Sequence, residues 1–225
     1  MTPSLVLVYF DLPGAGEPIR WAMEKAELEW TDKRVTREEF MDMKPSLPNG
    51  QVPVLEVDGF QLPQSLAILR YVGQLGGLYP SDALDAAKCD AIMDCATDFN
   101  ICSRPSFIEQ DHDKKMALRA DMAANFLPTW LANMEKQLSA TDGIFFAEKM
   151  SVADMMITFN LFFIKTGILE GIPDSIVDSF PALCAMYDAV VGDPKIAAIL
   201  AKHADKGWYK TAPSSTIGSN STTSG

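Results

Sequence analysis

A chain of 225 residues, 48% of them hydrophobic, can enclose a sizeable core and divide into two modest domains. Its formal net charge of -11 argues against nucleic acid or an anionic membrane as the main partner, since both need a basic surface. No uninterrupted apolar run approaches the ~20 residues that span a bilayer, and "MTPSLVLVYF" has no positive leader region and reads as a strand, so a cytoplasmic protein is expected.

In chain order, "SLVLVYF" is a strand and "EPIRWAMEKAEL" a helix with Pro18 in its first turn, where proline is tolerated. "EWTDKRV" is a second strand, followed by an irregular segment. Val52, Val54, Leu55 and Val57 then form a strand, Asp58-Gly59 a tight turn, and Phe60-Gln61-Leu62 its return. Pro53 removes a ladder donor near the start of that strand. A helix follows from about Ser65 to Leu75. The order strand-helix-strand-helix-strand-strand-helix is that of an α/β thioredoxin-like domain, placed at 1–79.

Gly and Pro punctuate "GGLYPSDALD", which gives a linker at 80–84. Beyond it an all-α domain is expected over 85–212, with helices at about 83–110, 114–138, 152–166, 174–179 and 182–201. Residues 213–225 are small and polar and are expected to be disordered, with the Asn220-Ser221-Thr222 sequon unused. In "KMSVADMMITFN", Ser151 reads as an N-cap and Asp154 as its capping-box partner, with Met150 and Met155 as the flanking staple; the role is structural. The cysteines Cys89, Cys95, Cys102 and Cys184 show no metal spacing and are too few for a disulfide scaffold, so buried free thiols in a reducing compartment are expected, and no metal.

Four stretches, "LVYFDLPGAGEPIR", "LPNGQVPVLEVDGFQLPQSLAILRYV", "CATDF" and "SVADMMI", resemble the cytosolic glutathione transferases, most closely the sigma class that includes the hematopoietic-type prostaglandin D synthases. The resemblance covers about 1–210, and the second stretch is its most specific part. It implies a cytosolic homodimer with a thioredoxin-like domain followed by an all-helical one. Its co-substrate would be glutathione, with no metal, and its second substrate a small hydrophobic electrophile.

The resemblance also implies roles for single residues. Pro53 would be cis, leaving the backbone of Val52 to bond the cysteinyl unit of a peptide added as a strand. Gln64 and Ser65, at a helix N-terminus that favours an anion, would hold the γ-glutamyl α-carboxylate; from the residues alone, Ser65 could equally cap its own helix. Tyr9, at the end of the first strand, would be catalytic, its hydroxyl donating to the glutathione sulfur and lowering a thiol pKa that is otherwise ~8.5. Without the resemblance, a tyrosine packed for its ring reads equally well. Lys44 would reach the glycyl carboxylate with Gln51 beside it, and Asp98 would cross the dimer interface toward the other subunit's glutathione. Two positions depart from the relatives: Ala15 stands where they have an arginine, and Phe40 where they have a tryptophan. The electrophile pocket is expected between the domains, walled by Phe10, Leu12, Pro13, Asn100, Ser103 and Phe107. Two further readings remain open: an isomerase or peroxidase acting on lipid endoperoxides or hydroperoxides, and a non-catalytic ligand carrier. Retention of Tyr9, Pro53, Gln64 and Ser65 together favours an active enzyme.

Overall fold

Strand β1 (Leu5–Phe10) buries Leu5, Leu7, Val8 and Tyr9, an almost unbroken apolar run of the kind found where both faces of a sheet are covered. The computed structural model, which describes residues 2–204 and 206, sets β1 inside a four-stranded sheet of order β2-β1-β3-β4. Strand β2 (Thr31–Val35) runs parallel to β1 after the crossover helix α1 (Glu17–Lys25). Strands β3 (Val54–Val57) and β4 (Phe60–Pro63) are antiparallel to their neighbours. Asp58 and Gly59 turn the hairpin with φ of 49° and 87°, as a two-residue turn demands. The edge strand β2, "TDKRV", buries only Val35 and carries three consecutive charged residues, which discourages pairing with another edge.

The segment read as irregular contains helix α2 (Arg37–Met43). None of its residues is buried, so it has no apolar stripe for the periodicity to show. Its start is fixed instead by a capping box: the Glu39 N–H donates to Thr36 Oγ1 at 3.2 Å and the Thr36 N–H to Glu39 Oε2 at 2.7 Å. Helix α3 (Ser65–Leu75) closes this half.

The second half is helical. Helix α4 (Ala83–Ile108) is capped by Asp82, which accepts from the N–H groups of Leu84 and Asp85. The stretch expected as one helix over 114–138 is three pieces: α5 (His112–Asp121), a π-helical turn (Met122–Phe126) and α6 (Leu127–Leu138). Pro128 is the cause, since it cannot donate to the preceding turn and fits only near a helix start. Helix α7 (Val152–Lys165) is buried along most of its length. The expected helix over 182–201 is likewise divided, into α8 (Pro181–Val191) and α9 (Pro194–Lys202). Gly192 ends the first piece, while Asp193, accepting from the Lys195 N–H at 3.1 Å, and Pro194 begin the second. Residues 174–177 form only a 3₁₀ turn.

Asp154 is fully buried and accepts from the Ser151 N–H and hydroxyl, both at 2.7 Å, and from the Phe146 N–H at 2.8 Å. It ties the loop before α7 to that helix, the structural role read from its motif. The two halves share one core. Trp21 of α1 is fully buried and stands edge-on to Phe159 and Phe162 of α7, at 5.7 and 6.5 Å. Gly73 of α3 permits close approach there, because a Cβ at that position would lie 2.8 Å from Val152 Cγ1. The expected tail at 213–225, the end of the helical domain at 212 and the sequon at Asn220 lie outside the described residues.

Candidate active site

Between the sheet half and α4 and α7 lies a cleft of about 880 Å³. Tyr9, the penultimate residue of β1, reaches it with its side chain only 8% exposed. The loop that follows folds back over the ring, and the Ala15 N–H donates to Tyr9 Oη at 3.0 Å. Two glycines make this possible. A Cβ at Gly14, where φ is 39°, would fall against the Tyr9 hydroxyl, and one at Gly16 would lie 2.6 Å from the ring. Burial pushes the Tyr9 phenol above its ordinary pKa, outweighing the Ala15 N–H and the Arg20 guanidinium that pull it down. A phenol keeps its proton at neutral pH even at an ordinary pKa of about 10, and burial does not change that for Tyr9. With its oxygen accepting from Ala15, that proton is available to a group in the cleft.

Arg20, itself fully buried, holds this loop. It donates to the carbonyls of Phe10 at 3.1 Å and Leu12 at 3.0 Å, and pairs with Glu17 at 3.2 Å and Asp32 at 3.1 Å. Glu17 is fixed in turn by the Trp21 indole N–H at 3.0 Å. The guanidinium also lies 5.7 Å from the Tyr9 ring centroid. Sequence reasoning treated "PIR" as a motif and missed the clamp, since nothing in the spacing says that a buried arginine spans two loop carbonyls.

The opposite rim is backbone. The Val52-Pro53 peptide is cis, as the resemblance implied, and the ladder begins only at Val54, which leaves Val52 outside it. Gln64 has φ 74° and ψ 112°, a conformation costly for any residue with a side chain. It is exposed at the cleft, and its side chain makes no cap to α3. Ser65 opens α3 without capping it, so among the described residues the hydroxyl and the first free N–H groups of the helix are left for the cleft. The alternative that Ser65 serves its own helix is thus not what the geometry displays.

Of the residues singled out in the sequence, Tyr9, Phe40, Gln51, Val52, Pro53, Gln64 and Ser65 line the cleft, as do Phe10, Leu12, Pro13, Asn100, Ser103 and Phe107. Phe40 packs edge-on against Phe10 at 5.2 Å. Lys44 and Asp98 do not form part of the wall. Lys44 stands exposed just after α2 with its ammonium 5.9 Å from the Phe40 ring centroid. Asp98 is exposed on α4, next to Thr97, which does face the cleft. The sequence reading missed Thr97 and Arg104 on α4 and the wall that α7 supplies through Met156, Phe159 and Phe163. Arg104 could have been found, because it follows Asn100 by one helical turn; the α7 residues could not, since they come from a helix that is apolar nearly all round. Among the described residues, no group of three or more His, Cys, Asp or Glu is placed to hold a metal ion, and no helix is long and apolar enough to cross a membrane.

Fold and cleft together define a class of protein in which a thioredoxin-like sheet with a tyrosine near the end of its first strand faces an all-helical domain across a cleft. The chain matches the family models of the glutathione S-transferase N-terminal domain over residues 5–74 and C-terminal domain over residues 97–203. It is 30% identical to glutathione S-transferase 4 of Caenorhabditis elegans over 209 residues, covering 90% of this chain and 98% of that one. The structure of prostaglandin synthase D of Nilaparvata lugens superposes with a TM-score of 0.79 at 33% identity, over 89% of this chain and 98% of the other. A monomeric glutathione S-transferase from Necator americanus, Na-GST-3, superposes with a TM-score of 0.74 at 27% identity, over 95% of this chain and 100% of the other. The chain belongs to the glutathione S-transferase family.

Proposed function

We propose that the protein conjugates the thiolate of glutathione to small hydrophobic electrophiles, with Tyr9 as its catalytic residue. The observation that carries this reading is the Tyr9 hydroxyl, buried at the cleft and oriented by the Ala15 N–H at 3.0 Å. A free thiol of pKa ~8.5 is only a few per cent ionised at neutral pH, and a hydrogen bond to its sulfur favours the charged form. Binding in the cleft then supplies positioning rather than a covalent intermediate.

The remaining residues supply recognition. Val52 offers its unpaired backbone to the cysteinyl unit, with Pro53 shaping the edge. Gln64 and Ser65, at the N-terminus of α3, take the γ-glutamyl α-carboxylate, which the helix dipole favours. The strained backbone of Gln64 supports this assignment, since such a conformation persists where a site requires it. Lys44, Gln51 and Phe40 serve the glycyl end. Asp98 of the partner subunit reaches the glutathione amine in a homodimer. Phe10, Leu12, Pro13, Asn100, Ser103 and Phe107 enclose the electrophile. The four free thiols support a reducing compartment, the cytosol.

Retention on glutathione-agarose followed by conjugation of chlorodinitrobenzene tests the reading. Both are expected; a protein that neither binds the resin nor conjugates the acceptor overturns it. A second reading, isomerisation or reduction of lipid endoperoxides or hydroperoxides, draws support from the apolar lining that Phe10, Met156, Phe159 and Phe163 offer a lipid chain, while Thr97, Asn100 and Ser103 make the α4 wall more polar than a lipid pocket needs. Glutathione-dependent reduction of cumene hydroperoxide at a rate above chlorodinitrobenzene conjugation would favour it.

A further inference from the structure

We infer that Arg104 selects electrophiles that carry a carboxylate beside an apolar body, an inference that rests on the transferase reading above. Thr97, Asn100, Arg104 and Phe107 follow one another on α4 at spacings of three, four and three, which places them on one face, and all four line the cleft. Among the described residues, Arg104 is the only charged side chain in that wall, and no carboxylate shares it. Met156, Phe159 and Phe163 of α7 continue this wall as an apolar surface, with the Phe163 ring 5.5 Å from that of Phe107, and Phe10 lines the cleft from the sheet half.

Of the other arginines, Arg37 at the start of α2 also makes no hydrogen bond or ion pair among the described residues, but it is exposed outside the cleft; the rest are occupied. Arg20 pairs with Glu17 and Asp32, Arg70 with Asp90 at 2.6 Å, and Arg119 donates to Ser106 and to the Glu170 carbonyl. Among the described residues, Arg104 makes no hydrogen bond or ion pair. Its guanidinium therefore keeps its donors for a ligand, in the geometry that meets a carboxylate with two parallel bonds. A protein of net charge -11 repels anions at long range, so this cation acts locally, on a substrate already in the cleft.

The chemistry itself does not pass through Arg104. With an α,β-unsaturated ketone as acceptor, the glutathione sulfur forms a bond to the β-carbon. The π pair moves to the carbonyl oxygen, and the α-carbon takes up the proton that the thiol released. Arg104 touches only the remote carboxylate, so it is a specificity residue.

Para-carboxybenzylideneacetone and its methyl ester separate the cases. The acid-to-ester ratio of kcat/KM is compared for the wild type, Arg104→Gln and Arg104→Lys, which cancels any difference in intrinsic reactivity. Arg104→Gln is expected to lower the ratio about two- to fivefold, as suits an ion pair that stays solvated. Arg104→Lys should give a ratio between those of the wild type and Arg104→Gln, since it keeps the charge and loses the paired donors, and added salt should lower the wild-type ratio toward that of the Gln variant. An unchanged ratio in Arg104→Gln overturns the inference. Direct binding of the acid keeps the two readings apart. If the wild type turns over neither these compounds nor chlorodinitrobenzene, and is not retained on glutathione-agarose, yet binds the acid more tightly than Arg104→Gln does, the transferase reading fails and anion selection stands. Equal binding by the two proteins sinks anion selection.

Discussion

At the scale of single residues, the proposed chemistry rests on the hydroxyl of Tyr9. Its only protein partner in the described structure is the Ala15 N–H, which occupies the oxygen and leaves the proton to the ligand. Removal of that hydroxyl in Tyr9→Phe should lower turnover tenfold or more, since a hydrogen bond to a charged group contributes ~1.5–3 kcal/mol. The pH–rate profile adds a sharper test. Burial raises the phenol above 10, so its own ionisation lies beyond the working range and the limb near neutrality belongs to the bound thiol. In Tyr9→Phe that limb should move to higher pH, toward the free thiol. A variant with the wild-type profile would show Tyr9 to be a packing residue. The glycyl end offers a second test at this scale. Lys44 is exposed over Phe40, and in the proposed site its one ammonium would hold the glycyl carboxylate without an indole donor beside it. Lys44→Ala should raise the glutathione KM severalfold, less than a buried charge would, because the group is solvated. Phe40→Trp should lower the KM by restoring an indole donor; no change in either variant would mean that other groups hold the carboxylate.

At the scale of elements, the β1–α1 connection is the part most heavily fixed. Arg20 binds two of its carbonyls and is itself neutralised by Glu17 and Asp32. Arg20→Ala leaves Glu17 buried without its cation, and breaking such a pair costs about 3–5 kcal/mol. Chemical denaturation should show that loss, together with reduced turnover, because the loop carrying Ala15 is no longer held. The same connection is tied to the far end of the chain. Asp11 accepts from Lys206 and from Arg34, and these cations hold its carboxyl down at about 2. A carboxyl depressed in the folded state contributes stability above its unfolded pKa, near 4, and the contribution disappears as the pH falls toward 2. Asp11 is half exposed, so the contribution is only about 0.5–1 kcal/mol. Asp11→Asn should therefore be less stable than the wild type at pH 6, and the urea midpoints should draw together as the pH falls from about 4 and converge only below about pH 2.

At the scale of the whole molecule, the site exists only because two halves meet. Trp21 against Phe159 and Phe162 sets the sheet half on α7, and α4 then closes the cleft. A single chain leaves Asp98 outside that cleft. It also leaves Leu84, Ile101 and Ile108 of α4, and Phe60 of the hairpin, each more than half exposed, an arrangement that suits association between copies. Sedimentation at micromolar concentration is expected to give a dimer, and Asp98→Ala to weaken glutathione binding more than it lowers the unfolding midpoint. A fully active monomer, as the existence of a monomeric relative makes conceivable, would remove Asp98 from the site.

The sequence by itself determined the strands, the hairpin turn, the starts of α3, α4 and α7, and the identity of Tyr9, Pro53, Gln64 and Ser65. Each of these depends on local signals: alternation, Asp58-Gly59, a cap, or a long contiguous motif. Tertiary structure decided what local signals do not carry. Helix α2 buries nothing and so shows no period, and the divisions at Pro128 and Pro194 interrupt runs whose apolar pattern continues across them. The clamp of Arg20 joins residues whose partners lie up to twelve positions away, and the wall of the cleft takes Phe159 and Phe163 from a helix more than a hundred residues beyond Tyr9. Helix α7 is apolar on nearly every side, and only the packing of Trp21 and α4 against it settles which of its aromatic rings face the core and which face the ligand.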